Sequence, residues 1–428
     1  MDFRKRPQNR LPAYAFFVKE FFLIYELSLR LRILTFTALF PNSADPTFGI
    51  FVYQRTAQLA QRPGIEVTVV SPVPWFPRWL KTRRWRAASE IPSQEEFGTL
   101  SVYHPRYFLL PKISMPFHAL LMFLGSFARV RRLHDSAKID CIDAHFVYPD
   151  GLAAVLLGKV LSVPVTVSAR GTDINFFPSF RFIRPMIRWT LSQADRVIAV
   201  SGALKESMVA LGVRPDKIIV IPNGVNTELF HLTDREGARR ELNLPLQAPI
   251  LVSVGALIRP KGQLILIRAF ARIAARHPEL KLYIVGEGPL RSELESLVRA
   301  HNLQDRVFLP GKRPNKELLQ WFNAADISLL VSEREGWPNV VTESLACGTP
   351  VVATRVGGVP EILHSPELGI LVDQTVESVA EGIEKALGKT WLREAISERT
   401  RARTWSTVAG ELELVFSEQI RDRTAAQP

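Results

Sequence analysis

Short apolar segments alternate with helix-like segments along most of this chain, and the alternation recurs in two successive blocks. Repeated strand–helix–strand units of this kind form parallel sheets. The predicted strands are 32–39, 66–72, 139–146, 164–170, 196–201 and 217–223 in the first block, and 250–255, 281–286, 307–311, 327–332, 350–354 and 369–372 in the second. The predicted fold class is therefore α/β, with two doubly wound parallel-sheet domains. Residues 226–249 lack strand character and are the expected inter-domain connector.

Length and composition agree with this division. A chain of 428 residues exceeds the size at which one core keeps growing, so two domains of about 200 residues each are expected. Hydrophobic residues make up 47% and charged residues 22%, which is ordinary for a soluble α/β enzyme. Because the two cysteines, Cys141 and Cys347, are far apart, a disulfide framework or a zinc site is not expected, and a reducing cytoplasm fits.

The net charge of +12 suits an anionic partner, such as nucleic acid, an anionic membrane surface or an anionic substrate. The sequence has no zinc-finger spacing and no RNA-binding aromatic motif, which disfavours nucleic acid. Charge-free stretches such as 113–128 fall short of the roughly 20 residues that a membrane-spanning helix needs. No transmembrane segment is predicted.

Residues 331–361 place two carboxylates on either side of a strand-to-helix turn, with seven residues between Glu335 and Glu343. The preceding apolar run is typical of a buried parallel strand. Pro338 suits the first turn of a helix, which the pattern ends near Cys347. Glu335 is then at the carboxyl end of a strand, where open α/β sheets bind ligands. Free backbone N–H groups in 337–340 would suit an anion such as a diphosphate, and the two carboxylates could hold hydroxyls of a sugar nucleotide.

This segment, VSEREGWPNVVTESLACGTPVVATRVGGVPE, resembles the Glu-x7-Glu region of retaining family 4 glycosyltransferases, and the resemblance extends over about residues 32 to 405. Members have the GT-B fold, in which two Rossmann-like domains face a cleft, and they transfer sugars from nucleotide-sugar donors. By this resemblance Glu335 contacts the transferred sugar and Glu343 the ribose. The donor site would also include Gly336, Trp337, Pro338, Asn339 and Val340. Gly357, Gly358 and Glu361 would complete its phosphate end.

Further matches to the family lie in loops that follow predicted strands. In VGALIRPKG, Lys261 matches a lysine that neutralises the leaving diphosphate. The family's arginine position is Ala256, and Arg259 in the same loop is a candidate to supply the missing charge. Gly286, in VGEGP, would line the nucleotide pocket. Gly49 would let a helix N-terminus approach the donor diphosphate.

The first block carries the candidates for the acceptor side. His145, in DAHFVYPDG, resembles the family's site histidine near the sugar and the acceptor. Arg170 and Asp173, in SARGTDIN, would bind acceptor or sugar hydroxyls, and an R-G-T-D strand end is similar to glycosyltransferases of teichuronic-acid type. The catalytic candidates are therefore His145, Glu335 and Lys261.

The chain contains no Asp-x-Asp triplet, the metal-chelating device of many other transferases. We therefore predict no metal site and no cofactor beyond the nucleoside-diphosphate sugar as substrate. Helix N-termini and Lys261 would stabilise departure of the diphosphate. Retention of configuration would follow from attack on the face that the nucleotide leaves.

Two segments suggest contact with a membrane. Residues 1–30 are basic and then apolar, which fits an interfacial anchor or, equally, a translated extension ahead of the first strand. Residues 72–86 interleave three tryptophans with five cations, which fits an anionic lipid surface or a loop over the acceptor cleft. The expected localisation is cytoplasmic, with peripheral attachment to the inner face of the cytoplasmic membrane.

The sequence thus predicts four regions. They are a basic and apolar extension (1–31), an acceptor-side domain (32–235), a donor-nucleotide domain (236–390), and a C-terminal helix returning to the first domain followed by a disordered tail from Arg423 (391–428). The leading hypothesis is a metal-independent retaining hexosyltransferase that acts on a glycan or lipid-linked acceptor in cell-surface polysaccharide synthesis. The alternatives are a nucleotide-sugar 2-epimerase and an inactive GT-B module that binds a membrane or nucleic acid.

Overall fold

The computed structural model describes residues 30–75, 88–109 and 115–425. The predicted membrane anchor, residues 1–30, lies outside these residues except for Arg30. We call residues 72–86 the aromatic–basic segment, and its stretch 76–86 also lies outside them. Along the ranges that are described, no helix is long and apolar enough to cross a membrane.

The first domain is built on an eight-stranded sheet whose strand order is β10-β9-β8-β7-β1-β2-β5-β4. Only β4 runs antiparallel to its neighbour. A separate two-stranded parallel sheet joins β3 and β6. The strands are β1 (Leu31–Phe36), β2 (Ile65–Val70), β3 (Val73–Trp75), β4 (Gln94–Phe97), β5 (Leu100–Tyr103), β6 (Arg106–Phe108), β7 (Cys141–His145), β8 (Val165–Ala169), β9 (Arg196–Ala199) and β10 (Ile218–Val220).

The second domain is built on a six-stranded parallel sheet with the order β13-β12-β11-β14-β15-β16. Its strands are β11 (Ile250–Val254), β12 (Lys281–Val285), β13 (Val307–Gly311), β14 (Ile327–Leu330), β15 (Val351–Thr354) and β16 (Gly369–Val372). The central strands are buried on both faces because helices cover both sides. All twelve predicted strands are present, and the predicted α/β class with two doubly wound sheets is confirmed.

Fifteen helices pack on these sheets or join them within the described ranges. They are α1 (Ile50–Ala60), α2 (His118–Ser136), α3 (Leu152–Leu161), α4 (Thr172–Asn175), α5 (Ile183–Gln193), α6 (Gly202–Ala210), α7 (Arg235–Glu241), α8 (Gln263–Ala274), α9 (Arg291–Ala300), α10 (Asn315–Ala324), α11 (Asn339–Ala346), α12 (Val359–Ile362), α13 (Val376–Leu387), α14 (Arg393–Arg401) and α15 (Trp405–Ala425).

The sequence pattern missed the hairpin of β4 and β5 and the small sheet of β3 and β6. Strand β4 has the sequence QEEF, in which exposed and half-buried residues alternate. It is an edge strand that carries charge, so no apolar run marks it. Strands β3 and β6 have only three residues each, too few for a recognisable period.

In the connector and the C-terminal region, the observed domain boundaries differ from those predicted from the sequence. Within the expected connector, α7 belongs to the second domain, because Arg235 and Arg239 both form ion pairs with Asp326. Helix α14 also stays on the second domain, where the hydroxyl of Ser397 donates to the carbonyl of Ala346 at 2.7 Å. Only α15 packs on the first domain, against α1. It continues to Ala425, beyond the point at which disorder was expected.

Candidate active site

Glu335 and Lys261 meet at the carboxyl ends of two neighbouring strands. Strands β11 and β14 are adjacent in the second sheet, so the loops that follow them reach the same edge. Nζ of Lys261 donates to Oε1 of Glu335 at 2.5 Å. Both side chains are mostly buried, with 27% and 11% of their surface exposed. The loop after β11 thus presents a cation, and the loop after β14 presents a carboxylate beside it.

Helix α11 begins directly after this carboxylate. Pro338 is its N-cap residue and has no amide hydrogen, so it cannot contribute the N–H group that the range 337–340 implied. Val341 donates to the carbonyl of Pro338 at 3.0 Å. The helix start therefore leaves the amides of Asn339 and Val340 for an anionic ligand.

Glu343 lies farther along α11 and is buried. Burial raises the pKa of its carboxyl from 4.5 to about 7, because the charged form loses its hydration. In the ranges that the structure covers, this carboxyl has no ion-pair partner. This carboxyl therefore changes its protonation state near neutral pH. Ligand hydroxyls that donate hydrogen bonds to it would favour its ionised form.

The two domains touch where Gly336 follows Glu335. A Cβ atom on Gly336 would lie 2.2 Å from the carbonyl oxygen of Arg170 in the first domain. A Cβ on Gly357 would lie 2.0 Å from the carbonyl oxygen of Glu335. Asn175 adds a hydrogen bond from Nδ2 to that same carbonyl at 3.2 Å. Only residues without side chains fit at these positions, which keeps the cleft walls in contact.

A buried polar cluster lies behind this contact in the first domain. Asp143, on β7, receives hydrogen bonds from Nη2 of Arg55 at 3.1 Å to each of its oxygens. Its Oδ2 also lies 3.1 Å from Nε2 of His145. Burial alone would raise the pKa of Asp143, but Arg55 and His145 lower it to about 2. Burial lowers the pKa of His145 to about 3, so the ring is neutral at physiological pH.

Arg170 connects this cluster to the second domain. Its guanidinium contacts Nδ1 of His145 and donates from Nη1 to Oδ1 of Asn223 at 3.1 Å. Asn223 donates from Nδ2 to Oδ1 of Asn339 at 3.0 Å. A continuous chain of polar contacts therefore runs from the core of the first domain to the first residue of α11. We refer to Arg55, Asp143, His145, Arg170, Asn223 and Asn339 as the polar chain.

His145 has no exposed surface, and both of its ring nitrogens are engaged. Its direct contact with sugar or acceptor stays a prediction. Arg55 and Asp143 were not among the candidates, although the sequence holds a signal for them. Arg55 occupies the same helical face as the buried Val52 and Leu59. An arginine at a core position requires a buried carboxylate partner.

Asp173 anchors a turn in this structure. Its carboxylate is buried and accepts backbone N–H groups of Val147, Arg170 and Gly171 at 2.8 to 3.1 Å. These bonds occupy the oxygens that would otherwise meet an acceptor hydroxyl. The assignment of Asp173 to the acceptor or sugar stays a prediction.

Three other candidates occupy different surroundings. Arg259 is on the surface, with 73% of its side chain exposed, and pairs with Glu293 at 3.3 Å. A Cβ on Gly286 would lie 1.9 Å from the carbonyl oxygen of Gly255, so the loops after β11 and β12 are in close contact. Gly49 caps α1 with a φ of 64° and would bring a Cβ within 2.4 Å of the carbonyl group of Leu39.

Glu361 joins the two domains, and its place at the phosphate end stays a prediction. Its carboxylate accepts the amides of Gly202 and Ala203 at 3.0 and 3.1 Å. These amides start α6 in the first domain, so Glu361 caps a helix across the domain boundary. Lys312 and Asp45 form a further inter-domain ion pair at 3.1 Å.

Known proteins are similar to this chain in sequence and in fold. The family model for glycosyl transferases group 1 matches residues 234–403, and that for glycosyltransferase family 4 matches residues 49–229. A D-inositol 3-phosphate glycosyltransferase of Acidothermus cellulolyticus is 32% identical over 74% of this chain and 75% of its own length. The chain belongs to the family 4 glycosyltransferases. It is therefore a glycosyltransferase.

A further relative and two solved structures extend the comparison. The putative teichuronic acid biosynthesis glycosyltransferase TuaC of Bacillus subtilis is 29% identical over 83% of this chain and 89% of its own length. Among solved structures, sucrose-phosphate synthase from Thermosynechococcus elongatus has a TM-score of 0.76 at 22% identity, covering 92% of this chain and 100% of that one. Anabaena HepE in complex with UDP has a TM-score of 0.67 at 20% identity, covering 91% and 100%. The GT-B fold is thereby shown.

Proposed function

We propose that this family 4 glycosyltransferase moves a hexose-type sugar from a nucleoside-diphosphate sugar to a glycan or lipid-linked acceptor, with retention of configuration. The contact of Lys261 with Glu335 carries the proposal. It puts a cation and a carboxylate at one strand edge, directly before the start of α11. A nucleotide sugar presents an anionic diphosphate to the cation and sugar hydroxyls to the carboxylate.

The described residues suggest how the donor is divided among them. The diphosphate would meet Nζ of Lys261 and the amides of Asn339 and Val340. Glu335 would accept hydroxyls of the transferred sugar. Glu343, in the second turn of α11, would accept the ribose hydroxyls. The side chain of Arg259 pairs with Glu293 on the surface. We therefore assign Arg259 no role in binding the donor.

Departure of the diphosphate would be stabilised without a metal cofactor. Lys261 and the start of α11 place positive charge where negative charge develops on the leaving group. The acceptor hydroxyl would attack on the face that the diphosphate leaves and would transfer its proton to a donor phosphate oxygen. The new glycosidic bond would then have the configuration of the bond that breaks.

We also propose that the acceptor belongs to cell-surface polysaccharide synthesis, in the cytoplasm at the inner membrane face. A relative that is named for teichuronic acid biosynthesis supports this setting. Trp75 is the first tryptophan of the aromatic–basic segment 72–86 and is 50% exposed, beside a 42% exposed Phe108. Their ring centroids are 6.2 Å apart. Such paired rings fit the interfacial region of a membrane.

A thermal-unfolding screen of nucleotide sugars tests the donor class. A donor at about 100 times its Kd should add roughly 2.7 kcal/mol of stability. The stabilising donor is then incubated with glycan and lipid-linked acceptors in EDTA, and NMR of the product gives the anomeric configuration. Inversion, or activity that returns only with magnesium or manganese, would contradict the proposed mechanism. Conversion of the donor to its C2 epimer without an acceptor would favour the epimerase.

A further inference from the structure

Helix α5 of the first domain has one apolar face and one basic–aromatic face. Ile183, Ile187 and Leu191 are buried in the core of the domain. Arg184 and Arg188 are on the opposite face, and Arg181 precedes the helix on the same side. This spacing places the three guanidinium groups in one row. They line a single open groove together with Pro178, Ser179 and Pro185.

The three arginines have no ion pair within the ranges described. Three arginines of the second domain do have such partners: Arg272 pairs with Glu377, Arg276 with Glu384, and Arg291 with Glu287. Unlike these three paired arginines, the row on α5 presents adjacent guanidinium groups along one groove. Its positive charge is not compensated locally.

Aromatic side chains accompany these cations. Phe182 is 70% exposed and Trp189 is 39% exposed. Nζ of Lys159 lies 5.8 Å from the ring centroid of Trp189. A second open groove joins Arg188 and Trp189 to Arg214 and Lys217, which extends the positive surface. Acidic residues are also present on this side: Asp216 lies 3.5 Å from Arg214, and Asp195 is close enough to Lys217 to act on its charge.

We propose that the basic–aromatic face of α5 docks on an anionic phospholipid bilayer. Unpaired guanidinium groups attract anionic headgroups, and exposed Phe and Trp rings are favourable at the depth of those headgroups. None of its residues belongs to the segment 72–86. The bilayer-docking face consists of Arg181, Phe182, Arg184, Arg188 and Trp189.

The bilayer-docking face begins at the rim of the cleft. Phe180, next to Arg181, has its ring centroid 5.3 Å from that of Phe176. The guanidinium carbon of Arg334 lies 4.6 Å from the ring centroid of Phe176, and Arg334 precedes Glu335. Docking through α5 would therefore hold the cleft entrance at the membrane surface. The benefit for catalysis rests on the proposed lipid-linked acceptor, whereas the docking itself does not.

Sedimentation with lipid vesicles tests this proposal on the full-length protein. Vesicles of equal parts phosphatidylglycerol and phosphatidylcholine are compared with pure phosphatidylcholine at low salt. The triple variant Arg181→Gln, Arg184→Gln, Arg188→Gln should bind anionic vesicles roughly 100-fold more weakly, at about fivefold for each cation. The substitution Phe182→Ser should weaken the binding that remains at high salt, where charge is screened.

The matched control is Arg272→Gln, Arg276→Gln, Arg291→Gln, which removes the same net charge from paired positions. It should retain vesicle binding. Equal losses for the two triple variants, or unchanged binding by the α5 variant, would overturn the proposal. Binding of RNA by the same variants is measured in parallel. If the α5 variant loses RNA binding and retains vesicle binding, the proposal is also overturned. Nucleotide-induced thermal stabilisation should be unchanged in the α5 variant, so failure of the donor assignment would be seen separately.

Discussion

Lys261 and Glu335 follow two adjacent strands of the second sheet, and their charged atoms are 2.5 Å apart. They are separated by 74 residues in sequence. The parallel arrangement of β11 and β14 brings them together, because both strands end at the same edge. The side chains to which we assign the phosphate and the transferred sugar are therefore in direct contact.

Replacement of Lys261 by Ala should weaken nucleoside-diphosphate binding by about 10- to 100-fold, the value of a hydrogen bond to a charged group. Binding of the unphosphorylated nucleoside should change little, because the lysine addresses phosphate. Calorimetric titration measures both affinities. Arg259→Ala is the control and should be nearly silent, since Arg259 is exposed and paired with Glu293. Equal losses for the two ligands would contradict the role of Lys261.

Replacement of Glu335 by Gln should reduce kcat/KM by about 100-fold or more, because one carboxylate would contact the reacting sugar. Its thermal midpoint should stay close to that of the wild type, since the side chain supports no apolar core. Steady-state kinetics and a melting curve measure the two effects. Glu333→Gln, on the exposed neighbour that pairs with Arg334, is the control. A fully active Glu335→Gln enzyme would refute the site assignment.

Glu343 should make stability dependent on pH in an unusual direction. Its pKa is raised by burial from 4.5 to about 7 in the folded state, so the folded protein holds a proton that the unfolded chain releases. The free energy of unfolding should therefore fall as pH rises from 4.5 through 7. Glu343→Gln should be more stable than the wild type above this window by up to about 3 kcal/mol. Below it, the two should converge.

Urea unfolding at a series of pH values measures this difference, with Glu333→Gln as the exposed control. Donor binding should also release a proton near neutral pH, because ribose hydroxyls favour the ionised carboxylate. Calorimetry in buffers of different ionisation enthalpy detects that proton. A stability difference that is constant over pH would contradict the assigned pKa shift.

The buried ion pair of Arg55 and Asp143 should hold the other residues of the polar chain in position. Asp143→Asn leaves a buried guanidinium without its counter-charge and should cost about 3–5 kcal/mol. Replacing both partners, as Arg55→Met with Asp143→Leu, should recover most of the stability. Activity should stay low in the double variant, because His145 would lose the contact that orients it toward Arg170. A stable double variant with full kcat would show that the pair only supports the fold.

Much of the architecture follows from local patterns in the sequence. Apolar strand segments bounded by loops predicted twelve strands, all of which are present, because burial on both faces leaves an apolar signature. The Glu-x7-Glu segment predicted a strand, a turn and a helix, and the structure contains these elements in 327–346. Strand β4 escaped prediction because an edge strand needs no apolar signature.

By itself, the sequence determined which elements form and which side chains stand at the ends of strands. Only the tertiary structure decided their partners. Glu361 caps α6 across the domain boundary, and Asp173 binds backbone amides, although both stand at positions where a ligand contact was expected. Periodic patterns in the sequence indicate which residues close to one another along the chain are buried. The contact between Arg55 and Asp143 instead joins residues that are 88 positions apart. Such contacts depend on how the sheets and helices pack, which no local pattern encodes.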